Sequence, residues 1–381
     1  MTRVGLIYFV FCVSIIFSCR NDTLPDSKND LEEIYFNDYE SPMYKWGFID
    51  EKGTVVIKPK YDDARDFQNS LAVVNFKGRW GCINNNGDVV VDFKYRQLFD
   101  FSENRSFAQD FNNNWLLIDQ FSNTTAQLEY DAFKSFNNGY APVSKNTHWG
   151  IIDKNGHLLV PLVYQSIIPF DSTHFIAKEN GKYGIISFNN DKLIDFKYDK
   201  IYSIKNGIIR AKLNSDYCFF RIKDMHVSGS FKEAWDYEYH HTIVNKGGKF
   251  HLMDDSFLFI KELDFKRIEF AGEMKWKYKE NGMWGLLNTK GEVLTVPQFE
   301  IINNFNSGFA SIYLNGEWGY IDSNGKIFVQ PFLPLVWDFN DNRVRVITSG
   351  GFNMIDTSGR FIFQSSFSEL RDFKEGLARF Q

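Results

Sequence analysis

Proline and cysteine are scarce in this 381-residue chain, and neither sign of charge dominates it. The sequence contains 9 prolines and 4 cysteines, and its net charge is −5. Acidic and basic residues are well mixed, so the basic surface that neutralises nucleic-acid phosphates is missing. Cysteine and histidine are not clustered at the spacing of a zinc site. The composition therefore argues against nucleic-acid binding and against a metal-built fold.

Long runs of alanine, leucine, glutamate and lysine at helical spacing are also absent. Aromatic residues are abundant instead, with 39 phenylalanines, 18 tyrosines and 9 tryptophans. Phenylalanine and tyrosine suit the half-buried pleated surface of a strand. This composition predicts an all-β protein.

One long apolar run lies at the start of the chain, from Val4 to Phe17, after a single positive charge at Arg3. It is too short for a typical membrane-spanning helix. The sequence Ile16-Phe17-Ser18-Cys19 resembles a bacterial lipoprotein signal, which implies cleavage before Cys19 and lipidation of that residue. We expect a signal peptide over 1–18 and a tether and cap over 19–43. An ordinary secretory signal and an uncleaved anchor are the alternatives.

The rest of the chain repeats itself with a period of 34 residues. The recurring position is an aromatic residue, here called the opening aromatic, that begins each unit. Successive opening aromatics are 33 to 35 residues apart, at Trp46, Trp80, Trp115, Trp149, Tyr183, Tyr217, Phe250, Trp284, Trp318 and Phe352. Ten units of constant length indicate a tandem repeat architecture over 44–381.

Other positions keep the same period. A glycine, serine, asparagine or aspartate usually stands seven residues after the opening aromatic, a tyrosine or phenylalanine fifteen after it, and a phenylalanine twenty-one after it. The two units between Tyr217 and Trp284 keep this pattern least well.

Five units carry a Trp-Gly dipeptide in closely related strings, namely KWGFID, RWGCIN, HWGIID, MWGLLN and EWGYID. In these residues the chain resembles the bacterial WG-repeat family. The resemblance implies tandem β-rich units, and it brings no catalytic residue, metal ligand or cofactor with it. The tryptophans expected to be structural anchors of the units are Trp46, Trp80, Trp115, Trp149, Trp284 and Trp318.

Each unit is typical of three short strands. The string WGFID predicts the first strand, and DEKG and its equivalents predict a hairpin turn whose glycine takes a positive φ. The string TVVIKP predicts the second strand, and a crossover anchored by aromatic residues leads to a third. The glycine after the opening aromatic is expected to allow close approach of a neighbouring backbone or ring.

Two architectures accommodate ten such units. The favoured one is an open, curved solenoid or superhelix, because propeller blades usually have about 40–50 residues and rings usually stop at about eight blades. A closed ring resembling a β-propeller is the alternative, and the complete third strand before Gln381 suits it.

The sequence offers one cluster that could host chemistry. The string WDYEYHHT places Asp236, Glu238 and His240 on one face of a predicted strand, with His241 adjacent and His251 nearby in sequence. Such residues could form a metal or acid–base site. No nucleophile elbow, phosphate-binding loop or dinucleotide-binding motif is present.

The leading hypothesis is a non-enzymatic lipoprotein of the bacterial envelope, held at the outer membrane or cell surface through lipid on Cys19. Its repeated surface would bind a protein partner or an envelope polysaccharide. The alternative is an enzyme or metal-dependent site in the irregular units around 217–283. No cofactor is expected.

Overall fold

The computed structural model describes residues 45–381 except 170, 225 and 239, and the side chain of Ser203 is also outside the description. The predicted signal peptide and the tether over 19–43, with Cys19, lie outside the described residues. Every regular element in the described part of the chain is a β-strand. None of these residues belongs to a helix that could span a membrane.

The strands follow one another at short intervals. The first eighteen are β1 Trp46–Asp50, β2 Val55–Tyr61, β3 Asp63–Ala64, β4 Leu71–Phe76, β5 Arg79–Asn84, β6 Val89–Tyr95, β7 Gln97–Leu98, β8 Arg105–Gln109, β9 Trp115–Asp119, β10 Thr124–Leu128, β11 Ala132–Phe133, β12 Tyr140–Lys145, β13 His148–Asp153, β14 Leu158–Tyr164, β15 Ser166–Pro169, β16 His174–Glu179, β17 Lys182–Ser187 and β18 Lys192–Tyr198. The remaining strands are β19 Lys200–Lys205, β20 Ile208–Leu213, β21 Asp216–Arg221, β22 His226–Val227, β23 Glu233–Ala234, β24 His241–Lys246, β25 Lys249–Asp254, β26 Phe259–Leu263, β27 Ile268–Phe270, β28 Trp276–Glu280, β29 Met283–Leu287, β30 Val293–Phe299, β31 Ile301–Ile302, β32 Phe309–Leu314, β33 Glu317–Asp322, β34 Ile327–Leu333, β35 Arg343–Thr348, β36 Gly351–Asp356 and β37 Leu377–Phe380.

These strands form ten antiparallel sheets among the described residues, eight of them four-stranded. The predicted all-β array of repeated units is therefore confirmed. Each four-stranded sheet joins the end of one sequence unit to the start of the next, as in the order β3-β4-β5-β6. Strands β4 and β5 meet at a two-residue turn, Lys77-Gly78, whose φ angles of 51° and 76° are those of a type I′ hairpin turn. The structural module is thus offset from the sequence repeat.

The two ends of the array meet in one sheet. Strand β37 pairs with β1, with Phe48 opposite Arg379 and Ile49 opposite Ala378, and β1 pairs in turn with β2. The sheet order β2-β1-β37 therefore combines the first and last units. Pairing of the first and last strands is the feature that distinguishes the ring alternative from an open array, whose ends stay unpaired.

Side chains reinforce this closure. The Arg379 guanidinium lies 2.6 Å from Asp66, and Arg343 lies 2.8 Å from Glu51. The Glu375 carboxylate accepts hydrogen bonds from the backbone N–H groups of Asn69 and Ser70, both at 2.7 Å. Each contact joins residues about 300 positions apart in sequence.

The core is divided into ten apolar clusters, one between each pair of successive sheets. One cluster joins the first sheet to the second through Phe48, Tyr61, Phe67 and Ile83. Another completes the circuit by packing Ile49 of β1 with Met354, Phe363, Phe373 and Phe380. Each sheet therefore buries its apolar faces only against its neighbours, which is how repeat proteins gain stability.

The glycine of the Trp-Gly dipeptide faces a bulge in the partner strand. In the first hairpin Trp46 pairs with Tyr61 whereas Phe48 pairs with Ile57, so two extra residues of β2 lie between these pairs. A Cβ atom on Gly47 would lie 2.6 Å from the Ile57 carbonyl oxygen. The close approach expected at this glycine is therefore made by the backbone of the partner strand. Pro59 occupies the bulge on an edge strand, which continues beyond it to Tyr61.

The aspartates of the hairpin turns cap backbone N–H groups. Asp50 Oδ1 accepts hydrogen bonds from the N–H groups of Lys52 at 2.9 Å and Thr54 at 2.8 Å, and Gly53 has a φ of 80°. The Thr54 N–H, helped by that of Lys52, holds the pKa of the Asp50 carboxyl below its usual value. The same pair of contacts recurs at Asp119, Asp153, Asp322 and Asp356. These carboxylates stabilise the hairpin turns that the sequence predicts.

Candidate functional site

Most of the opening aromatics lie half-buried at the junctions between units. Trp284 has 6% of its surface exposed, whereas the other predicted anchors are partly exposed, at Trp46, Trp80, Trp115, Trp149 and Trp318. Seven opening aromatics are covered by a side chain of the preceding unit. That side chain lies about nineteen residues after the opening aromatic of its own unit. This side chain is here called the cover residue.

Cover residues are either cationic or aromatic. The Arg65 guanidinium lies 5.0 Å from the ring centre of Trp80, and the Lys134 ammonium lies 4.8 Å from that of Trp149. Arg371 covers Trp46 across the closure of the array. Aromatic covers lie 5.9–6.2 Å from their partners, in the pairs Phe99–Trp115, Tyr202–Tyr217, Trp235–Phe250 and Trp337–Phe352. Most opening aromatics therefore contact a side chain of the preceding unit.

In four units, a cationic side chain within the third strand contacts the next unit. Each donates to a backbone carbonyl oxygen and also lies over an opening aromatic. Three of these cations are also within 4 Å of an aspartate of the next unit. The four cations are Arg210, Lys277, Arg345 and Arg379.

A cavity of about 540 Å³ lies on the side of the array where the opening aromatics Tyr217 and Phe250 stand. It is bounded by the sheets that contain β20–β21, β23–β25 and β27. Its lining combines aromatic, cationic, acidic and amide side chains, from Arg210, Tyr217, Glu233, Trp235, Asn245, Phe250, Lys266, Arg267 and Glu269. The lining therefore combines aromatic surface with hydrogen-bonding groups, and both occur in small-molecule sites.

Ion pairs hold several polar groups of this cavity in place. Arg210 Nε lies 2.8 Å from Asp236 Oδ1, and Arg210 Nη1 donates to the Ala234 carbonyl oxygen at 2.5 Å. Arg267 Nε donates to Glu269 Oε1 at 2.8 Å. Arg210 is thereby held against the next unit, whereas the Arg267 side chain is 60% exposed in its ion pair.

The polar cluster expected around Asp236 does not converge on one point. Asp236 pairs with Arg210, whereas Glu238 lies 3.9 Å from Lys205. His240 is exposed and lies 2.9 Å from Asp255, and the His251 ring stacks on Phe259 at 4.5 Å. In the part of the chain that the structure describes, no three His, Cys, Asp or Glu side chains are grouped to hold a metal ion.

Burial raises the pKa of the Glu238 carboxyl, with the charge of Lys205 acting against it and that of Asp236 acting with it. The sequence drew attention to the acids and histidines of the string WDYEYHHT, whereas the residue of this string that lines the cavity is Trp235. The available signal was its spacing, because Trp235 stands fifteen residues before Phe250 just as Arg65 stands fifteen before Trp80.

A second cavity, of about 420 Å³, lies toward the other end of the β20–β21 hairpin. Its lining includes Asp171, Asn206, Arg221, Lys223 and Asp255. Arg221 is committed to Asp224 at 2.8 Å and to the Asp255 carbonyl oxygen at 3.2 Å. The hydrogen bond from Arg221 lowers the pKa of Asp224 to about 2.

The two described cysteines are free and buried in separate clusters. Burial raises the pKa of Cys82 to about 12 and that of Cys218 to about 11. Cys82 is fully buried among apolar residues. Thiols of such high pKa are poor nucleophiles at neutral pH.

A family model described as WG containing repeat matches residues 46–80, 80–115, 117–146, 149–183, 183–217, 284–318, 318–350 and 354–381. The chain belongs to this WG-repeat family. The matches leave out 218–283, where the structure nevertheless continues the same succession of sheets. The larger cavity lies mainly in these two divergent units.

Several solved structures are similar in fold, at low sequence identity. BamB from Moraxella catarrhalis has 8% identity and a TM-score of 0.36, covering 77% of this chain and 95% of that chain. A eukaryotic initiation factor has 9% identity and a TM-score of 0.42, covering 88% and 97%. The computationally designed Ika8 protein has 11% identity and a TM-score of 0.35, covering 66% and 92%. No curated protein matches the sequence.

Proposed function

We propose that this WG-repeat protein is a non-enzymatic binding scaffold of the bacterial envelope, held at the outer membrane or cell surface by lipid on Cys19. Its ligand is a protein partner or an envelope polysaccharide. The observation that carries the proposal is the cavity beside Tyr217, Trp235 and Phe250. It lies where the sequence departs from the repeat while the succession of sheets is maintained.

The separate partners of the polar residues favour binding over catalysis. Asp236, Glu238 and His240 each have a different partner, and those partners are Arg210, Lys205 and Asp255. An acid–base pair must share access to one reacting group. These side chains support the structure around the cavity and leave its aromatic wall as the recognition element.

The proposal predicts two properties of a Cys19→Ser variant. In cells, the wild-type chain is expected in the membrane fraction and the variant in the soluble fraction, because several acyl chains bury methylene groups worth ~0.8 kcal/mol each. The purified variant is then expected to co-sediment with washed envelopes in a saturable manner. Both properties are measured by quantitative immunoblotting of the fractions.

The experiment tests the lipid anchor and the binding function separately. Membrane retention of Cys19→Ser would contradict the lipid anchor and leave the binding function standing. Absence of saturable co-sedimentation with intact, protease-treated or glycan-depleted envelopes would contradict the binding function. Comparison of the treated envelopes separates a protein ligand from a polysaccharide.

A further inference from the structure

The cavity of the divergent units carries a more specific inference, which rests on the proposed binding function. We propose that this cavity is a saccharide-binding site that takes a short, uncharged segment of a glycan, with one sugar ring against Trp235. The inference depends on three properties of the lining: a fixed aromatic ring, balanced charge and a size suited to a small ligand.

The indole of Trp235 is held by other rings. It lies 6.2 Å from Phe250 in a tilted arrangement and 5.5 Å from Trp276 in an edge-to-face arrangement. Both of these partners are buried. The hydroxyl of buried Thr242 donates to the Trp235 carbonyl oxygen at 2.8 Å, which fixes the backbone as well. A partly exposed ring packed against buried rings offers a pre-organised flat surface, and little conformational entropy is lost when a ligand covers it.

The charged side chains of the lining are mostly paired. Arg210 and Arg267 each lie beside a carboxylate, and the adjoining Lys277 lies 3.6 Å from Glu269. Among the described residues, the lining side chains without an ion pair are Glu233 and Lys266, which carry one charge of each sign. A site for a phosphate or a polyanion would offer an excess of unpaired positive charge. The balance of the unpaired charges therefore favours an uncharged ligand over an anionic one.

Several polar groups remain available to such a ligand. Among the described residues, no ion pair or side-chain hydrogen bond engages Glu233 or Lys266. Asn245 uses its Oδ1 to accept a hydrogen bond from the Gly248 N–H at 3.1 Å, which leaves its two amide N–H donors. The cavity therefore offers hydrogen-bond donors and acceptors together with an aromatic ring. Sugars match this arrangement, because their hydroxyl groups both donate and accept while their C–H faces are apolar.

The size of the cavity also favours a small ligand. Ligand sites commonly enclose about 300–1,000 Å³, and this cavity of about 540 Å³ falls within that range. A stable protein partner would instead need a contact surface of about 800 Å² on each side. A few sugar residues fit the site better than the face of a globular protein.

The equivalent position in another unit supplies a matched control. Trp337 is a cover residue like Trp235 and lies 5.9 Å from the opening aromatic Phe352. The space beside it is taken by Arg345, whose guanidinium lies 4.5 Å from the Trp337 ring centre. Trp337→Ala therefore removes a comparable ring without altering the proposed site.

The test is calorimetric and fluorescence titration of the full soluble chain, Cys19→Ser, with oligomers of one to four glucose, mannose or N-acetylglucosamine residues. We expect at least one series to bind with an affinity that rises with length. Trp235→Ala is expected to weaken that binding at least tenfold, Trp235→Phe less than Trp235→Ala, and Trp337→Ala hardly at all. Thermal unfolding of each variant shows whether it is folded.

Three results would overturn the inference. The first is that no saccharide binds, which leaves the proposed function intact if saturable envelope binding persists. The second is that Trp337→Ala weakens saccharide binding as much as Trp235→Ala while both variants remain folded. The third is that a Tyr-containing tripeptide binds in place of saccharides and loses its affinity in Trp235→Ala, which would identify a peptide site.

Discussion

Replacing Phe380 with alanine is expected to destabilise the protein by about 3–5 kcal/mol, the usual cost of removing a buried phenylalanine side chain. Phe380 lies in the last strand and is 9% exposed. It packs in one cluster with Ile49 of β1 and lies 5.7 Å from Phe367 in an edge-to-face arrangement. The urea midpoint of unfolding, followed by tryptophan fluorescence, measures the effect.

Phe361 is the matched control, because its side chain is 49% exposed in the same final unit. Phe361→Ala is expected to change the free energy of unfolding by no more than about 0.5 kcal/mol. Equal stability of Phe380→Ala and Phe361→Ala would mean that the last strand is not packed against the first.

The Gly150→Ala substitution is expected to cost about 2–3 kcal/mol by overpacking. A Cβ atom at this position would lie 2.5 Å from the Val160 carbonyl oxygen, so the bulge in β14 would have to open. Backbone cannot move aside as a flexible side chain can. Chemical denaturation of the purified variant measures the loss.

Gly229 provides the comparison for this substitution. Its φ is outside the left-handed region, and no heavy atom lies within 4 Å of an added Cβ atom. Gly229→Ala is therefore expected to be neutral or slightly stabilising. If Gly150→Ala were as stable as Gly229→Ala, the account of the Trp-Gly dipeptide given above would be wrong.

Much of the fold could be predicted because its rules are local. The 34-residue spacing identified the units, and the Asp-to-Gly turn was predicted correctly because its chemistry lies within four residues. The offset between sheet and sequence unit was harder to see. The turn that joins β4 to β5 uses Lys77-Gly78, and its equivalents use other pairs, such as Asn146-Thr147 and Asn214-Ser215. No constant dipeptide marks this second hairpin.

Closure and the cavity depend on contacts that no local pattern encodes. Ile49 and Ala378 are paired across the whole repeat array, and the residues around each of them do not identify the other as its partner. The cavity depends on the way three successive sheets leave space beside Trp235. The sequence indicated the region, through the weak repeat pattern after Tyr217, but the residues first chosen there turned out to have separate partners.

Closure of the array is the central claim, and a distance between its ends tests it most directly. The exposed residues Lys52 and Asp341 flank the contact between Glu51 and Arg343, whose atoms lie 2.8 Å apart. Both can be replaced with cysteine and spin-labelled in a chain whose Cys12 and Cys19 are serine. Cys82 and Cys218 are buried with raised pKa values, so they are not expected to react.

Pulsed electron paramagnetic resonance then measures the separation of the two labels. The closed array predicts a single narrow distribution of label-to-label distances below about 30 Å, which is three times the spacing of stacked sheets. An open series of ten sheets, stacked about 10 Å apart, predicts a broad distribution at well over 50 Å. The second result would contradict the closure.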